Sequence, residues 1–411
     1  MTPFSELFRT FGKIGCLSFG GPAAQIALMH KELVENRKWL SEKDFLSGLS
    51  FCMLLPGPEA MQLATYSGWR LRGTLGGLLA GLLFVLPGAF VILALGAIYV
   101  SYGDVPLVQT LFLGVKAAVL AIVIEALIKV AKRAFKMPLH WALALASFVA
   151  IFVFALPFPA VIGVAALIGY LTTPAAAQVP TPTVPIFQTL STVTIWLVIW
   201  WIPILVLGFV LGQDFLFQLA LFFSKLATVT FGGAYAVLAY MGQDVVQSLG
   251  WVSAVEMIDG LGLAETTPGP LILVTEFVGF LAGFNQGGIG LAIVAALVTL
   301  WATFAPCFLW IFAGAPYIEW MSAQARLSGA LAAITAAVVG VIANLSIWFA
   351  LNVIFAVVER TSFGWMPDLS TLDWRALVLS LVAAVLLLRL HFGLLSVLAI
   401  SALLALGVTL I

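Results

Sequence analysis

Two short motifs recur in this sequence where apolar segments would otherwise continue as helices. Residues 18–22 read SFGGP and residues 230–234 read TFGGA, and a Pro-Gly-Pro follows each of them, at 56–58 and 268–270. Adjacent glycines interrupt a helix, and proline is favoured at the first position of a new one. Each motif therefore predicts a helix start, whose first turn presents unpaired N–H groups and about half a positive charge. Such ends bind anions, so the four motifs predict an anion site.

Two lysines and two hydroxyl residues accompany the glycine motifs. Lys13 and Lys225 lie two turns before the glycine pairs and would add full positive charges. Ser18 and Thr230 come directly before Phe-Gly-Gly and would add hydroxyl donors, which suits a tetrahedral dianion. Two other interpretations stay open, because paired glycines permit close helix packing and lysines extend to a membrane interface. Recurrence of the glycine pair near Pro-Gly-Pro in both places favours binding over packing alone.

Two matched acids have a structural interpretation. Asp44 and Glu256 each lie three residues after a serine, Ser41 and Ser253. This spacing is that of a capping box at a helix N-terminus, complete in the second case and a close variant in the first. Capping is therefore the predicted role of both acids, rather than catalysis.

Other acids stand inside apolar segments. Glu125 lies four residues before Lys129, so it is either a proton carrier or the helix partner of that lysine. Glu265 and Glu276 flank the second Pro-Gly-Pro, and Glu59 follows the first. Ionised acids beside an anion site would repel the anion, whereas protonated ones would not. This arrangement predicts coupling of anion transport to protons.

Composition identifies the elements that must hold these residues. Of the 411 residues, 63% are hydrophobic and 9% are charged, and the mean hydropathy is +1.16. Soluble proteins carry about 25% charged residues, and runs such as residues 76–101 are long enough to cross a bilayer. The sequence therefore predicts an all-α polytopic membrane protein. The net charge is zero, so charge gives no reason to expect a nucleic acid partner.

Sequence patterns of enzymes and cofactor sites are missing. The three cysteines and three histidines are dispersed without metal-ligand spacing. No Walker A motif, no GxGxxG before a helix and no GxSxG occurs. We therefore predict no cofactor, no metal and no enzymatic activity, and an intramembrane enzyme is a weakly supported alternative.

The chain consists of two related halves. At an offset of 212 residues, residues 11–58 align without a gap to residues 223–270, and 16 of these 48 pairs are identical. A linker rich in Pro, Thr and Ala at 172–185 separates the halves, and one further apolar run follows at 193–211. The predicted division is a first repeat at 1–172, a linker plus connecting transmembrane helix at 173–212, and a second repeat at 213–411.

Counting segments predicts that the two repeats are inverted in the membrane. Each half has about six apolar segments, an even number, and one extra segment joins them, so the second half starts from the opposite side. Twelve of the 18 Lys and Arg residues flank segments of residues 1–136, which places those loops in the cytoplasm. The N-terminus is therefore predicted inside and the C-terminus outside. Because the loops at 30–43 and 67–74 are both basic, the broken segments are either re-entrant hairpins or kinked full spans.

At these motifs the chain resembles the chromate ion transporters in their long two-domain form. The resemblance extends over essentially the whole chain and carries over to Phe19–Pro22, Pro56–Glu59, Phe231–Gly233 and Pro268–Pro270. One departure is Ala234, which stands where the first half has Pro22 and weakens the second glycine motif as a helix start. The motifs that carry the resemblance are SFGGPAAQIALMHKELVENRKWLSE (18–42), FCMLLPGPEAMQLATYSGWRLRGTLGG (51–77), TFGGAYAVLAYM (230–241) and DGLGLAETTPGPLILVTEFVGFLAGF (259–284).

The candidate residues fall into two groups. The candidate substrate-binding residues are Lys13, Ser18, Phe19, Gly20, Gly21, Pro22, Pro56, Gly57, Pro58, Glu59, Lys225, Thr230, Phe231, Gly232, Gly233, Pro268, Gly269 and Pro270. The candidate proton-coupling residues are Glu125, Glu265 and Glu276.

The resemblance implies export of chromate across the bacterial inner membrane, driven by the proton motive force. Expected partners are the chromate or sulfate oxyanion, protons, the lipid bilayer and a second copy of the chain in a homodimer. A passive oxyanion channel, which would need no proton-linked acid, and a sulfate transporter are the alternatives. Chromate and sulfate are tetrahedral dianions of similar size, so the sequence does not separate them.

Overall fold

The structure, a computed structural model, is almost entirely α-helical, and the predicted all-α polytopic membrane protein is confirmed. It describes residues 2–103, 105–175, 185–231, 233–361 and 364–409. Within these residues the α-helices are α1 (Phe4–Leu17), α2 (Gly21–His30), α3 (Glu42–Cys52), α4 (Glu59–Tyr102), α5 (Pro106–Ala134), α6 (Pro138–Phe152), α7 (Phe158–Thr172), α8 (Ile186–Leu205), α9 (Asp214–Val229), α10 (Ala234–Met241), α11 (Ala254–Thr266), α12 (Val274–Gly314), α13 (Ile318–Ser322), α14 (Ala325–Ile354), α15 (Trp374–Ala384) and α16 (Leu394–Thr409). An antiparallel pair, β1 (Val358–Thr361) and β2 (Gly364–Pro367), and π-helical turns at Lys31–Asn36, Val206–Val210, Gly242–Ser248 and Val385–Arg389 complete these elements.

Local sequence explains how the first helix is formed and oriented. In α1 the apolar residues Leu7, Phe11 and Ile14 lie at helical spacing and are fully buried. Charged residues, among them Arg9 and Lys13, occupy its exposed side. The helix therefore buries one apolar stripe against its neighbours.

Serine caps begin α3 and α11. The Asp44 N–H donates to the Ser41 hydroxyl oxygen at 3.1 Å, and the Glu256 N–H donates to that of Ser253 at 3.1 Å. The Ser253 N–H also donates to the Glu256 carboxylate at 2.7 Å, which completes a capping box. The predicted capping role of both acids is confirmed.

Two long helices reverse direction at a glycine. The backbone is non-helical at residues 72–73 of α4 and at residues 287–288 of α12. A Cβ on Gly68 would collide with the carbonyl of Gly76, although eight residues of straight helix would separate the two by about 12 Å. The arms of α12 fold back in the same way, because a Cβ on Gly279 would collide with Thr299. Each of these helices is therefore a hairpin with two packed arms.

The chain also turns back at both motifs of the first half. Lys13 Nζ on α1 lies 2.7 Å from Glu32 Oε1 beyond α2, and Arg70 on α4 lies 3.5 Å from Asp44 on α3. These contacts place the two arms at each motif side by side. The choice between re-entrant hairpins and kinked full spans stays a prediction. α1 and the first arm of α4 (59–72) each have 14 residues. Their length of about 21 Å is shorter than a hydrocarbon core of about 30 Å.

His30 joins these two hairpins. Its ring Nε2 lies 2.7 Å from Glu42 Oε2 and its Nδ1 lies 3.2 Å from Glu35 Oε1. The hydrogen bond with Glu42 raises the pKa of His30 above its usual value. The contact therefore contributes its full stabilisation at pH values below the usual histidine pKa. This stabilisation is lost as the pH rises through the raised pKa of His30.

The order of elements repeats between the halves. α1, α2 and their π-helical turn correspond to α9, α10 and a second π-helical turn, and α3 corresponds to α11. The reversals in α4 and α12 correspond as well. Six apolar segments in each half and one between them make thirteen, and the described residues form sixteen helices. The four motifs each divide a segment and the short α13 is added, whereas α4 and α12 each join two segments. Among the described residues, five continuous helical stretches are long and apolar enough to cross a membrane: α4, α5, α8 with its π-helical turn, α12 with its flanking 3₁₀ turns and α13, and α14.

Residue contacts divide the chain into two compact units. Unit 1 consists of Met1–Gly96, Thr173–Ala234 and Thr267–Ser328, and unit 2 of Ala97–Thr172, Tyr235–Thr266 and Gly329–Ile411. Both units therefore take segments from both halves. The described residues of all four motifs belong to unit 1. In unit 2, α5 packs against α15 and α16 around a core that includes Ala118, Ile122 and Leu398.

Candidate functional site

A helix begins at each of the four motifs. α2 begins at Gly21 with Pro22 in its first turn, and α4 begins at Glu59. α10 begins at Ala234, so alanine at this position still permits a helix start. After the second Pro-Gly-Pro a 3₁₀ turn, Leu271–Leu273, leads into α12. Gly232 lies outside the described residues.

The glycine motifs are not sites of close packing. Gly20 and Gly21 have φ values of +83° and +80°, a region that favours glycine. A Cβ on Gly21 or Gly233 would meet no described atom within 4 Å, and one on Gly20 would meet only Ala24 Cβ at 3.6 Å. Backbone conformation, and not a neighbouring helix, therefore requires glycine here.

The motifs of the two halves are joined in crossed pairs. The Gly57 N–H of the first Pro-Gly-Pro donates to the carbonyl of Thr230 in the second glycine motif at 2.9 Å. The Gly269 N–H of the second Pro-Gly-Pro donates to the carbonyl of Ser18 in the first glycine motif, also at 2.9 Å. Each broken segment is thus held by a loop from the other half, within unit 1.

Two glutamines reinforce these loops. The Gln25 amide on α2 donates to the carbonyl of Gly269 at 2.7 Å and more weakly to that of Ser18 at 3.4 Å. The Gln62 amide donates to the carbonyl of Pro56 at 2.6 Å across the first Pro-Gly-Pro. Both side chains are buried, and each Oε1 lacks a hydrogen-bond partner in the described part of the chain. Sequence reasoning gave these residues no role, although a glutamine within an apolar helix beside each motif of the first half was a usable signal.

The hydroxyl residues before the glycines are engaged by their own helices. Ser18 donates to the carbonyl of Ile14 at 2.7 Å, and Thr230 donates to that of Leu226 at 2.6 Å. Both are buried. In this conformation each hydroxyl hydrogen is already donated to a backbone carbonyl. Ser18 and Thr230 could therefore donate to an anion only after the hydroxyl rotates away from that carbonyl.

The two predicted lysines lie at exposed positions. Lys13 has a side chain that is 53% exposed and paired with Glu32. Lys225 on α9 is also exposed. Neither lysine is buried with the loops of the crossed pairs, so their predicted role in binding stays a prediction.

A polar cluster is buried inside the α12 hairpin. Glu276 is 1% exposed, and its Oε2 has no hydrogen-bond partner among the described residues. Thr299 and Thr303, one turn apart on the second arm, are fully buried and their hydroxyls are unpartnered in the same sense. Thr299 touches the first arm at Gly279, one turn beyond Glu276. Of the three predicted coupling acids, Glu276 is the one with a carboxyl oxygen left unsatisfied.

The other two predicted coupling acids lie in unit 2 and have partners. Glu265 is 3% exposed and accepts a hydrogen bond from the Tyr235 hydroxyl at 2.8 Å. Glu125 lies 2.8 Å from Lys129 Nζ, which confirms the helix-partner interpretation. A role of Glu125 in carrying protons stays a prediction.

Sequence reasoning missed a charge pair in unit 2 whose aspartate is buried. Lys116 on α5 and Asp259 on α11 lie 3.5 Å apart, and the Tyr99 hydroxyl donates to Asp259 at 2.9 Å. The signal was a lysine and an aspartate that each stand within an apolar segment. Across the described residues, no group of three or more His, Cys, Asp or Glu side chains is arranged to hold a metal ion.

Comparison with known proteins identifies the family. The profile of the family described as Chromate transporter matches residues 5–170 and 217–408. The chain belongs to the chromate transporter family. The two matched stretches contain the four motifs, so the residues that form the crossed pairs lie within the regions that match the family profile.

Members of the chromate transporter family align with most of this chain. It is 32% identical to a probable chromate transport protein of Synechococcus elongatus over 82% of each chain. It is 31% identical to a chromate transport protein of Pseudomonas aeruginosa, over 84% of this chain and 80% of the other. It is also 31% identical to one from Cupriavidus metallidurans, over 82% and 80%. No solved structure matches the chain.

Proposed function

We propose that this protein exports chromate from the cytoplasm as a secondary active transporter. The chromate transport proteins among its relatives support the substrate. The crossed pairing of the loops is the observation that supports the binding site. Because Gly57 donates to Thr230 and Gly269 donates to Ser18, helix starts from the two halves lie beside each other in pairs. Four such ends would hold a tetrahedral dianion through backbone N–H groups and helix dipoles.

The proposed ligands are the backbone of the glycine motifs and the hydroxyls beside them. The proposed donors come from Ser18, Phe19, Gly20, Gly21, Thr230, Phe231, Gly232 and Gly233. Gly57 and Gly269 use their N–H groups in the crossed pairs, and proline has no N–H group. Pro22, Pro56, Gly57, Pro58, Pro268, Gly269 and Pro270 are therefore proposed to shape the site and not to donate to the anion. Open space beside Gly21 and Gly233 supports this assignment, because an anion needs room next to the helix ends. Lys13 and Lys225 are proposed to raise the local concentration of anions at the rim.

Glu59 links this site to protons. It is half-buried in the first turn of α4, where the helix end favours a negative charge. Its carboxylate therefore competes with a bound anion for the same helix end. Protonation of Glu59 would remove that competition.

Glu276 is the proposed principal coupling acid. An ionised carboxylate with an unsatisfied oxygen in a buried site costs several kcal/mol. The neutral acid avoids most of this cost, so the occupancy of a proton on Glu276 would change the charge beside the second Pro-Gly-Pro. Glu265 and Glu125 are retained as weaker candidates, because both have partners in unit 2.

Glu276→Gln should uncouple transport while leaving binding nearly intact, because the amide resembles the neutral acid. With the membrane potential set to zero, a gradient of two pH units supports about 100-fold accumulation for each coupled proton. We expect the variant to lose that factor, and chromate binding to change by less than about twofold. The measurement is chromate uptake into everted vesicles together with equilibrium binding to purified protein.

Glu319→Gln is the matched control, because Glu319 is an exposed acid on the neighbouring α13. It should accumulate chromate like the natural protein. Full accumulation by Glu276→Gln would remove Glu276 from the coupling mechanism.

The decisive experiment for the function itself uses the unmodified protein in everted vesicles. Chromate should accumulate against its gradient, a protonophore should abolish the accumulation, and sulfate should compete. Transport that only dissipates a chromate gradient would establish a passive channel instead. Accumulation of sulfate without chromate would establish a sulfate transporter.

We place the protein in the bacterial inner membrane with its two repeats inverted. If the hairpins of the first half are re-entrant, all twelve basic residues that flank its segments face the cytoplasm. We expect cysteine labelling to find the N-terminus inside and the C-terminus outside. Both termini on one side would disprove the inversion.

A further inference from the structure

The charge pair in unit 2 is buried and is linked to a third polar group. Lys116 Nζ lies 3.5 Å from Asp259 Oδ1, and the Tyr99 hydroxyl donates to Asp259 Oδ2 at 2.9 Å. The side chain of Asp259 is 4% exposed, whereas that of Lys116 is 21% exposed. The aspartate is therefore almost fully enclosed, and the lysine is the more exposed partner.

The contact between Lys116 and Asp259 is longer than a strong charge-assisted hydrogen bond. Charge-assisted hydrogen bonds are about 2.7–2.9 Å long, and the pairs of Lys13 with Glu32 and Lys129 with Glu125 meet that standard at 2.7 and 2.8 Å. At Asp259, Oδ1 has no hydrogen bond within the described chain. A buried ion pair offsets its desolvation only when its geometry is excellent. Asp259 therefore has one satisfied oxygen and one oxygen at which a proton can bind.

The groups around Asp259 come from three elements. α11 packs tightly on α5, since a Cβ on Gly262 would collide with Val115, the neighbour of Lys116. Lys116 faces Asp259 from α5 and Tyr99 faces it from the end of α4, while Glu256 lies one turn earlier on α11 itself. Asp244, in the π-helical turn before α11, interacts electrostatically with Tyr240. α16, which also packs on α11, contains no ionisable residue.

We propose that Asp259 is a proton-binding residue of the transport cycle and that Lys116 is the cation that replaces the proton. In one state the carboxylate is held by Lys116 and Tyr99. In the other, a proton from solution forms an O–H bond at Oδ1, the carboxyl becomes neutral, and the Lys116 ammonium is released. The assignment rests on the proposed proton coupling, and it adds a protonation site in unit 2 to that of Glu276 in unit 1.

The test uses purified full-length protein in proteoliposomes with chromate as the probe. Asp259→Asn should lose the roughly 100-fold accumulation that one coupled proton supports at a gradient of two pH units. Exchange of internal for external chromate at equal pH should persist. Lys116→Met should shift the pH dependence of transport to higher pH by about one unit or more, because the lysine favours the ionised aspartate.

Asp44→Asn is the matched control, because Asp44 also forms a 3.5 Å pair with an arginine but is exposed. Its coupling should equal that of the natural protein. Asp259→Asn with normal accumulation and pH dependence would overturn the proposal. If this variant does not insert, the double variant Lys116→Gln/Asp259→Asn removes the pair without leaving a buried charge. A structural pair predicts that the double variant regains coupled transport, and our proposal predicts that it stays uncoupled.

Failure of this assignment differs from failure of the proposed function. Natural protein that transports chromate without any response to a pH gradient would remove proton coupling as a whole, and this assignment with it. Natural protein that is coupled, together with a coupled Asp259→Asn variant, would overturn this assignment alone.

Discussion

Gly88→Ala is expected to reduce chromate transport on the order of 100-fold while the protein still inserts into the membrane. Gly88 lies on the second arm of α4, and a Cβ there would collide with the carbonyl oxygen of Pro268. Backbone cannot rotate away as a flexible side chain can, so the second Pro-Gly-Pro would have to shift. That shift would break the hydrogen bond from Gly269 to Ser18 and open one crossed pair. Transport in vesicles, normalised to inserted protein, measures the effect.

Gly12→Ala is the matched control for this substitution. Gly12 also lies within a helix of unit 1, and a Cβ there would meet no described atom within 4 Å. Alanine in a helix is favoured over glycine by about 0.5–1 kcal/mol. The control should therefore transport normally and be slightly more stable. Normal transport by Gly88→Ala would show that the position of the second Pro-Gly-Pro does not matter for transport.

Gln25→Leu is expected to reduce transport on the order of tenfold and to lower the free energy of unfolding by about 1–3 kcal/mol. The side chain is 2% exposed and is the donor to the carbonyls of Gly269 and Ser18. Leucine would leave the Gly269 carbonyl buried without this donor, and the loops of one crossed pair would separate. Initial transport rates and thermal unfolding in detergent measure the two effects.

Gln213→Leu provides the comparison, because Gln213 is exposed and donates only weakly, to the Leu211 carbonyl at 3.4 Å. It should change neither quantity measurably. If Gln25→Leu lowered stability but left the rate per folded molecule unchanged, Gln25 would be a structural residue without influence on the anion site.

The parts of the fold that depend on local sequence could be predicted. Glycine pairs and Pro-Gly-Pro specify backbone conformations over a few residues, so the helix starts at Gly21, Glu59 and Ala234 follow from them. The capping roles of Asp44 and Glu256 follow from a spacing of three residues. Composition alone was sufficient for the all-α membrane class.

The parts that depend on distant contacts could not be predicted. The offset of 212 residues relates each motif to its own copy, and it does not reveal that the glycine motif of one half pairs with the Pro-Gly-Pro of the other. Lys13 illustrates the same limit, since its partner Glu32 becomes adjacent only when the chain turns back. Lys116 and Asp259 are 143 positions apart in the sequence, and only the packing of α11 on α5 brings them together.

Gly21 and Gly88 require glycine for different reasons. At Gly21 the space around a Cβ is open, but φ is +80°, a conformation that L-residues with a side chain rarely adopt. At Gly88 no positive φ is involved and the restriction is on volume. A D-alanine introduced by chemical synthesis would relieve the backbone strain of an L-residue at Gly21. Any L-residue with a Cβ at Gly88 would collide with the carbonyl of Pro268. Backbone conformation is therefore the limit at Gly21, and the space beside the second Pro-Gly-Pro loop is the limit at Gly88.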